Sequence, residues 1–400
     1  MMNFTFYSPT EIVFGKGAEE NTAALVKKYG GSNVLVVFGE GSVVKSGLLG
    51  RITAQLDTAG VKCTEYGGAM PNPHLSYARE GVRLAGEVNA DFILAVGGGS
   101  AIDAAKAIAH GAANPGVDIW QFWTREVVLE KSLPVGVVLT ISAAGSETSA
   151  SAVLTNTVTG QKRGLGTDFN RPRFTVMNPE LTFTVPRYPT ACGIADIFMH
   201  TLDRYFAPEE TDGKQNDTTD AIAEGILTTV IKNAPKVLAN PTDYHAQSEI
   251  MWCGSLSHNG ITGLGRSMDF SVHQLGHELS GKFDVAHGAS LTTMWGAWAR
   301  YVAQVNSARF LRLGEKVWEI NTSGTAGVEA VIKRTEDFFR SIEMPTNFTE
   351  LGIGSQPAEV LEAMAESCVF QGKRKVGSFK PLEKADVLAI YTTASTHGQR

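Results

Sequence analysis

The stretch Phe92-Ile93-Leu94-Ala95-Val96-Gly97-Gly98-Gly99-Ser100-Ala101-Ile102-Asp103-Ala104-Ala105-Lys106-Ala107-Ile108-Ala109 decides the fold. Phe92 to Val96 is an apolar run of strand length, Gly97 to Gly99 breaks it, and the alanine-rich segment from Ala101 has strong helix propensity. Strand, glycine loop and helix in that order suit a phosphate group. A backbone without Cβ atoms lets a pyrophosphate come close, and the free N–H groups of the helix N-terminus supply donors and the positive end of a dipole. A plain tight turn has the same composition, but the position directly after an apolar strand favours the binding reading.

On both sides of this unit, from Asn33 to about Met177, short β-branched runs such as Val34 to Phe38 and Val135 to Leu139 alternate with longer helical patterns. The alternation predicts βαβ units on a parallel sheet, where ligands gather at the carboxyl ends of strands. Gly39-Glu40-Gly41-Ser42 forms a first βα turn fit for the adenosine end of a dinucleotide. Val44 stands where the third glycine of G-x-G-x-x-G belongs, so that fingerprint is incomplete. Thr140-Ile141-Ser142-Ala143-Ala144-Gly145-Ser146-Glu147 follows Val135 to Leu139 and offers hydroxyls at the same edge, or else a helix N-cap. No G-x-x-x-x-G-K-[ST] occurs, which argues against a P-loop nucleotidase.

After Pro186 the β-branched runs thin out, and Ala191 to Phe206, Thr218 to Leu238, Ala246 to Asn259 and Val328 to Ile342 carry apolar residues at helical spacing. The prediction is therefore two domains: residues 1–185, an α/β dinucleotide-binding domain with a parallel sheet, and residues 186–400, an all-helical domain. Proline tends to end the element before it, which sets the boundary at Val185-Pro186. A formal net charge of -6 gives no electrostatic reason to seek nucleic acid or anionic membrane, so a small molecule is the expected partner. Cys63, Cys192, Cys253 and Cys368 form no C-x-x-C pair, which fits a reducing compartment, and no stretch approaches the roughly 18 apolar residues of a membrane span. The expected location is the cytoplasm.

Asp196, His200, His273, His277 and His287 bring the residues best able to bind a borderline metal into the helical half. Asp196 and His200 are four apart, so on a helix they project from one face at neighbouring turns. His273 and His277 share that spacing, and His287 follows once Gly281 lets the helix end. Any one of these histidines alone reads more readily as a surface or capping residue; the set, with an aspartate, reads as a ligand field. Imidazoles and a carboxylate without thiolates suit zinc or ferrous iron in a catalytic site with an open position. Helix geometry leaves open a chelate made by His273 and His277 together. His277-Glu278 begins like H-E-x-x-H, but Gly281 takes the place of the second histidine, which disfavours a zincin peptidase.

Essentially the whole chain resembles the iron-containing, or group III, alcohol dehydrogenases. The resemblance runs from Pro9-Thr10-Glu11-Ile12-Val13-Phe14-Gly15-Lys16-Gly17 through Pro71-Asn72-Pro73, Gly97 to Asp103 and Gly145-Ser146-Glu147. Its most specific part is Asp196-x-x-x-His200, His273-x-x-x-His277 and His287-Gly288, and it is nearest the bacterial NADPH-dependent aldehyde reductase and butanol dehydrogenase branch. It implies a dinucleotide domain, a helical metal domain, a cleft between them, and a homodimer. It implies Asp196, His200, His273 and His287 as ligands to one divalent ion, Fe2+ or Zn2+, with His277 beside nicotinamide and substrate as the catalytic residue. Gly39, Gly41, Ser42, Asn72, Gly97, Gly98, Gly99, Ser100, Asp103, Thr140, Ser142 and Lys162 would line the cofactor. Three departures stand out: Ser142-Ala143-Ala144 replaces a threonine-containing run, Asn178-Pro179 replaces Asp-Pro, and Glu40 replaces a glycine of the NADPH-preferring branch.

The expected activity is hydride transfer between NADP(H), preferred over NAD(H), and small alcohols or aldehydes, with short aldehydes reduced to primary alcohols. NADP(H) is expected because Phe38-Gly39-Glu40-Gly41-Ser42 offers backbone donors and a hydroxyl where an aspartate commonly binds ribose hydroxyls and repels a 2′-phosphate. The ion would act as a Lewis acid on the carbonyl oxygen. A sugar-phosphate cyclase of the dehydroquinate synthase type is the alternative enzyme; it needs a basic pocket, and only Arg204, Arg266 and Lys282 lie near in sequence. A catalytically silent cofactor-binding protein is the other, against which the intact ligand set argues. Trp120, Trp123, Trp252 and Phe270 are aromatic candidates for a substrate channel, with core packing as their first reading.

Overall fold

The computed structural model describes residues 1–39, 41–206, 208 and 216–396; Glu40 lies outside them. Tyr7–Val185 make one compact unit, and Pro186–Arg400 together with Met1–Phe6 make the other.

In the first unit the strands are β1 (Glu11–Phe14), β2 (Asn33–Gly39), β3 (Lys62–Ala69), β4 (Phe92–Gly97), β5 (Val135–Leu139), β6 (Ser151–Asn156), β7 (Gln161–Gly166) and β8 (Phe174–Met177). Six of them form a sheet in the order β1-β8-β5-β4-β2-β3, every neighbouring pair being parallel. Parallel strands need crossover helices that cover both faces, so β4 and β5 are buried along their whole length and read as continuous apolar runs. The chain passes outward from β2 to β3 and then returns to the other side of β2 for β4. That reversal opens a crevice at the carboxyl ends of the strands. Register pairs Phe38 with Val96 and Gly97 with Leu139, so the loops after β2, β4 and β5 are side by side.

Two features go beyond the sequence reading. β1 is a four-residue edge strand held by β8, too short to show a period. β6 and β7 form an antiparallel hairpin in place of a further βα unit. The loop Thr140–Glu147 consequently opens no helix and its residues cap none. The buried Lys106 ammonium instead gathers this loop, donating to the Ser146 carbonyl and hydroxyl at 2.7 and 2.8 Å and to the Ser151 carbonyl at 2.8 Å. Burial pulls its pKa down to about 8. At the departure from Asp-Pro, Asn178 uses both ends of its amide: it donates to Glu19 at 2.9 Å and accepts from the Glu180 N–H at 3.0 Å.

Among the described residues the second unit is built of helices. Four of them, Arg187–Tyr205, Asp217–Ala239, Tyr244–His258 and Gly324–Ser341, cover the segments with helical spacing. Its core is aromatic, with Phe206 against Trp295, Trp298, Phe310 and Phe379.

Candidate functional site

The glycine loop after β4 is shaped by contacts as well as by conformation. A Cβ at Gly98 would overlap the Ile141 side chain, and one at Gly97 would lie 2.9 Å from the Ala101 Cβ. Only glycine lets the neighbouring loop pack this close. Gly99 and Ser100 open the helix Gly99–Ala113, leaving its first N–H groups for an anion. Thr140 is tied to the same place, its N–H donating to the Gly97 carbonyl at 3.1 Å. The Ser142 hydroxyl is buried with no hydrogen-bond partner among the described residues, which suits it to donate to a bound ligand.

Gly39 ends β2, Gly41 has a φ of 135° open to glycine, and Ser42 begins a helix of only four residues, Ser42–Lys45. Asn72, with a left-handed φ of 53°, receives the Lys162 ammonium on its side-chain oxygen at 2.9 Å. The hairpin thus delivers Lys162 to the carboxyl edge of the sheet. Asp103 is different: its carboxylate accepts from the Ser146 hydroxyl at 2.5 Å and the Val153 N–H at 2.8 Å. Both oxygens therefore serve to join the glycine-loop helix to the loop and hairpin beyond β5.

The metal candidates lie on three helices of the second unit. Arg187–Tyr205 is buried on every face from Ala191 onward, so its polar residues carry a desolvation cost unless they are partnered. Asp196, His200 and Asp203 form one stripe at spacings of four and three. His273 comes from the helix Ser271–Phe283, and His287 is the first residue of the helix His287–Val302. That last helix starts against the first because residue 288 is glycine: a Cβ there would collide with the Cys192 carbonyl.

Three imidazoles converge on a single carboxylate oxygen. The Nε2 atoms of His200, His273 and His287 lie 3.4, 3.6 and 3.8 Å from Asp196 Oδ1, long for hydrogen bonds. Asp196, His200 and His273 offer donor atoms within 4.8 Å of one another. Asp196 Oδ1 and His273 Nε2 are buried without a hydrogen-bond partner among the described residues. A negative oxygen and an imidazole nitrogen left so at such depth fit a shared cation. His277 sits one turn beyond His273, half-buried, with its ring centroid 5.3 Å from that of His287.

Asp203 and His258, which belong to no motif in the sequence, support this group. Asp203 accepts from His273 Nδ1 at 2.6 Å, which favours the proton on Nδ1 and leaves Nε2 as the candidate ligand atom. Its place seven residues after Asp196, on the same face, was the available signal. Burial, then the neighbouring imidazoles His258 and His273, push the His200 pKa well below the usual range and keep it neutral. Burial opposes charge on His273 too, but the carboxylates of Asp196 and Asp203 outweigh it and its pKa is raised. Phe270, at a left-handed φ of 55°, sets its ring 5.2 Å from His273 and 5.9 Å from His200. Of the other aromatic candidates, Trp123 is core, donating to the Ala152 carbonyl, and Trp252 is exposed.

A dinucleotide-type sheet with an open glycine edge, and an aspartate ringed by imidazoles on buried helices, define a metal-dependent dehydrogenase. The sequence pattern of iron-containing alcohol dehydrogenases matches residues 9–179, and that of the C-terminal part of the same family matches residues 190–395. The chain belongs to the iron-containing alcohol dehydrogenase family and is an alcohol and aldehyde oxidoreductase. It is 38% identical to NADH-dependent butanol dehydrogenase A of Clostridium acetobutylicum, covering 98% of this chain and 99% of that protein. It is 34% identical to the NADPH-dependent aldehyde reductase YqhD of Escherichia coli, covering 92% and 94%. The crystal structure of NADH-dependent butanol dehydrogenase A from Thermotoga maritima superimposes with a TM-score of 0.93 at 32% identity, over 99% of both chains. Family membership implies a metal ion and a nicotinamide cofactor. No helix among the described residues is long and apolar enough to cross a membrane.

Proposed function

We propose that Asp196, His200, His273 and His287 hold one divalent ion, and that the enzyme reduces short-chain aldehydes to primary alcohols with hydride from NADPH. The observation that carries this reading is the meeting of three imidazole Nε2 atoms on one buried carboxylate oxygen that has no donor. When bound, the ion supplies Lewis acidity to the carbonyl oxygen of the substrate. The other tasks belong to the chain. Asp203 holds the Nδ1 proton of His273, whose Nε2 would exchange any second proton for the ion, and burial keeps His200 neutral, so both imidazoles can offer Nε2. Asp196 contributes negative charge. His277 passes the proton that completes the alcohol, directly or through a water it orients. The ligand set serves iron, after which the family is named, and zinc equally.

Gly39, Gly41, Ser42, Asn72, Gly97, Gly98, Gly99, Ser100, Asp103, Thr140, Ser142 and Lys162 form the proposed dinucleotide site. Adjacent strand ends, the unpartnered Ser142 hydroxyl and the glycine packing at Gly98 support this, while Asp103 acts through its bonds to Ser146 and Val153. A cyclase pocket for a substrate phosphate is not supported: Arg266 donates to the buried Asp220 at 2.5 Å, and Arg204 lies over the Phe270 ring. A homodimer, from the family resemblance, and the cytoplasm, from four free cysteines, complete the proposal.

The preference for NADP(H) rests on the Ser42 hydroxyl and the backbone donors after β2. Similar proteins are named for NADH in one case and NADPH in the other, so measurement decides. Across a panel of short aldehydes, kcat/KM is expected to be higher with NADPH; a value as high with NADH would reverse the assignment.

A further inference from the structure

A histidine that binds a metal through one ring nitrogen is ordinarily oriented by an acceptor at the other. His273 has one in Asp203, 2.6 Å from its Nδ1. His200 has none. Its Nδ1 faces the Arg204 guanidinium, a donor, at a distance of 3.5 Å, and that guanidinium is engaged at 2.9 Å with the His200 carbonyl. Something else must fix the plane of the His200 ring.

Besides the proposed ligand His273, the ring that lies close against it is His258, the last residue of the helix Tyr244–His258. The two imidazole centroids are 3.9 Å apart with planes tilted by 33°, much as the His273 ring meets His200 at 4.1 Å and 38°. Phe270 meets His200 only edgewise, at 5.9 Å and 63°. We propose that His258 is a positioning residue for the ion: its ring, stacked on His200, replaces the missing acceptor and keeps His200 Nε2 aimed at Asp196 Oδ1. The inference rests on His200 being a ligand. Stacking depends on a flat ring and not on a nitrogen, so phenylalanine should substitute for His258 and an aliphatic side chain of similar bulk should not.

The test compares the full-length protein with His258→Leu and His258→Phe. Each is stripped of metal, checked by thermal melting, and titrated with Zn2+ against a chromophoric chelator. His258→Leu is expected to bind Zn2+ about tenfold more weakly than the unaltered protein, and His258→Phe to stay within about twofold of it. Equal affinity in His258→Leu overturns the proposal, and so does a loss in His258→Phe as large as that in His258→Leu. An unaltered protein that takes up no Zn2+ would instead overturn the ligand assignment beneath it, an outcome distinct from either.

Discussion

Removal of the divalent ion by a chelator is expected to lower turnover about a thousandfold or more, because Lewis-acid stabilisation of developing oxyanion charge supplies several kcal/mol and each 1.36 kcal/mol is tenfold in rate. Nothing else near Asp196 replaces it. Arg204, the nearest cation in sequence, is spent on the His200 carbonyl and the Phe270 ring. The fold should survive. The core of the second unit rests on side chains such as Trp295, Trp298 and Phe310, which are fully buried and owe nothing to the ion. Loss of the ion leaves the charged Asp196 Oδ1 buried without its cation, at a cost above the roughly 1–3 kcal/mol of a neutral group, so the melting temperature should fall while the fold persists. Circular dichroism reports the fold and nicotinamide absorbance reports the rate. Re-addition of Fe2+ or Zn2+ should restore turnover, and full activity in a verified metal-free preparation would contradict the mechanism.

His277→Ala and His287→Ala should separate along a different axis. His287 Nε2 is 3.8 Å from Asp196 Oδ1, whereas His277 meets His287 by its ring, tilted by 36° with centroids 5.3 Å apart. Loss of His287 should leave protein that purifies with little metal. Loss of His277 should leave the ion in place and lower kcat by about 10²- to 10⁴-fold, the range of a lost general acid. Metal content and turnover of the two variants, measured side by side, separate the roles. An occupied site in His287→Ala beside an empty one in His277→Ala would restore the alternative chelate by His273 and His277.

The parts of this architecture that were legible in the sequence are those whose cause is local. Phe92 to Ala109 reads as strand, glycine loop and helix because the apolar run, the glycines and the helix propensity each lie within a few residues, whereas the crowding of Gly98 by Ile141 is a tertiary contact. Asp196 and His200 read as one face because a helix repeats in under four residues. What was hidden is set by tertiary contact. β1 exists because β8 pairs with it, and its four residues show no period. The hairpin of β6 and β7 was hidden because Lys106, far back in the chain, shapes the loop before it. His258 looks like a plain helix-end histidine until His200 is found against it, and Phe270 occupies its position through a left-handed backbone that no motif announces. Asp203 is the exception, since its spacing from Asp196 was there to be used. Glu40, which bears on cofactor choice, lies outside the described residues.

Direct hydride transfer between a nicotinamide and a carbonyl carbon is the center of this account, and isotopic labelling tests it without intermediaries. Butyraldehyde is reduced by the metal-loaded enzyme with nicotinamide cofactor carrying deuterium at the transferable C4 position, and the butanol is analysed by mass spectrometry and NMR. One deuterium is expected on C1 of the alcohol, retained in ordinary water. Butanol free of deuterium, formed while the cofactor is consumed, would contradict it.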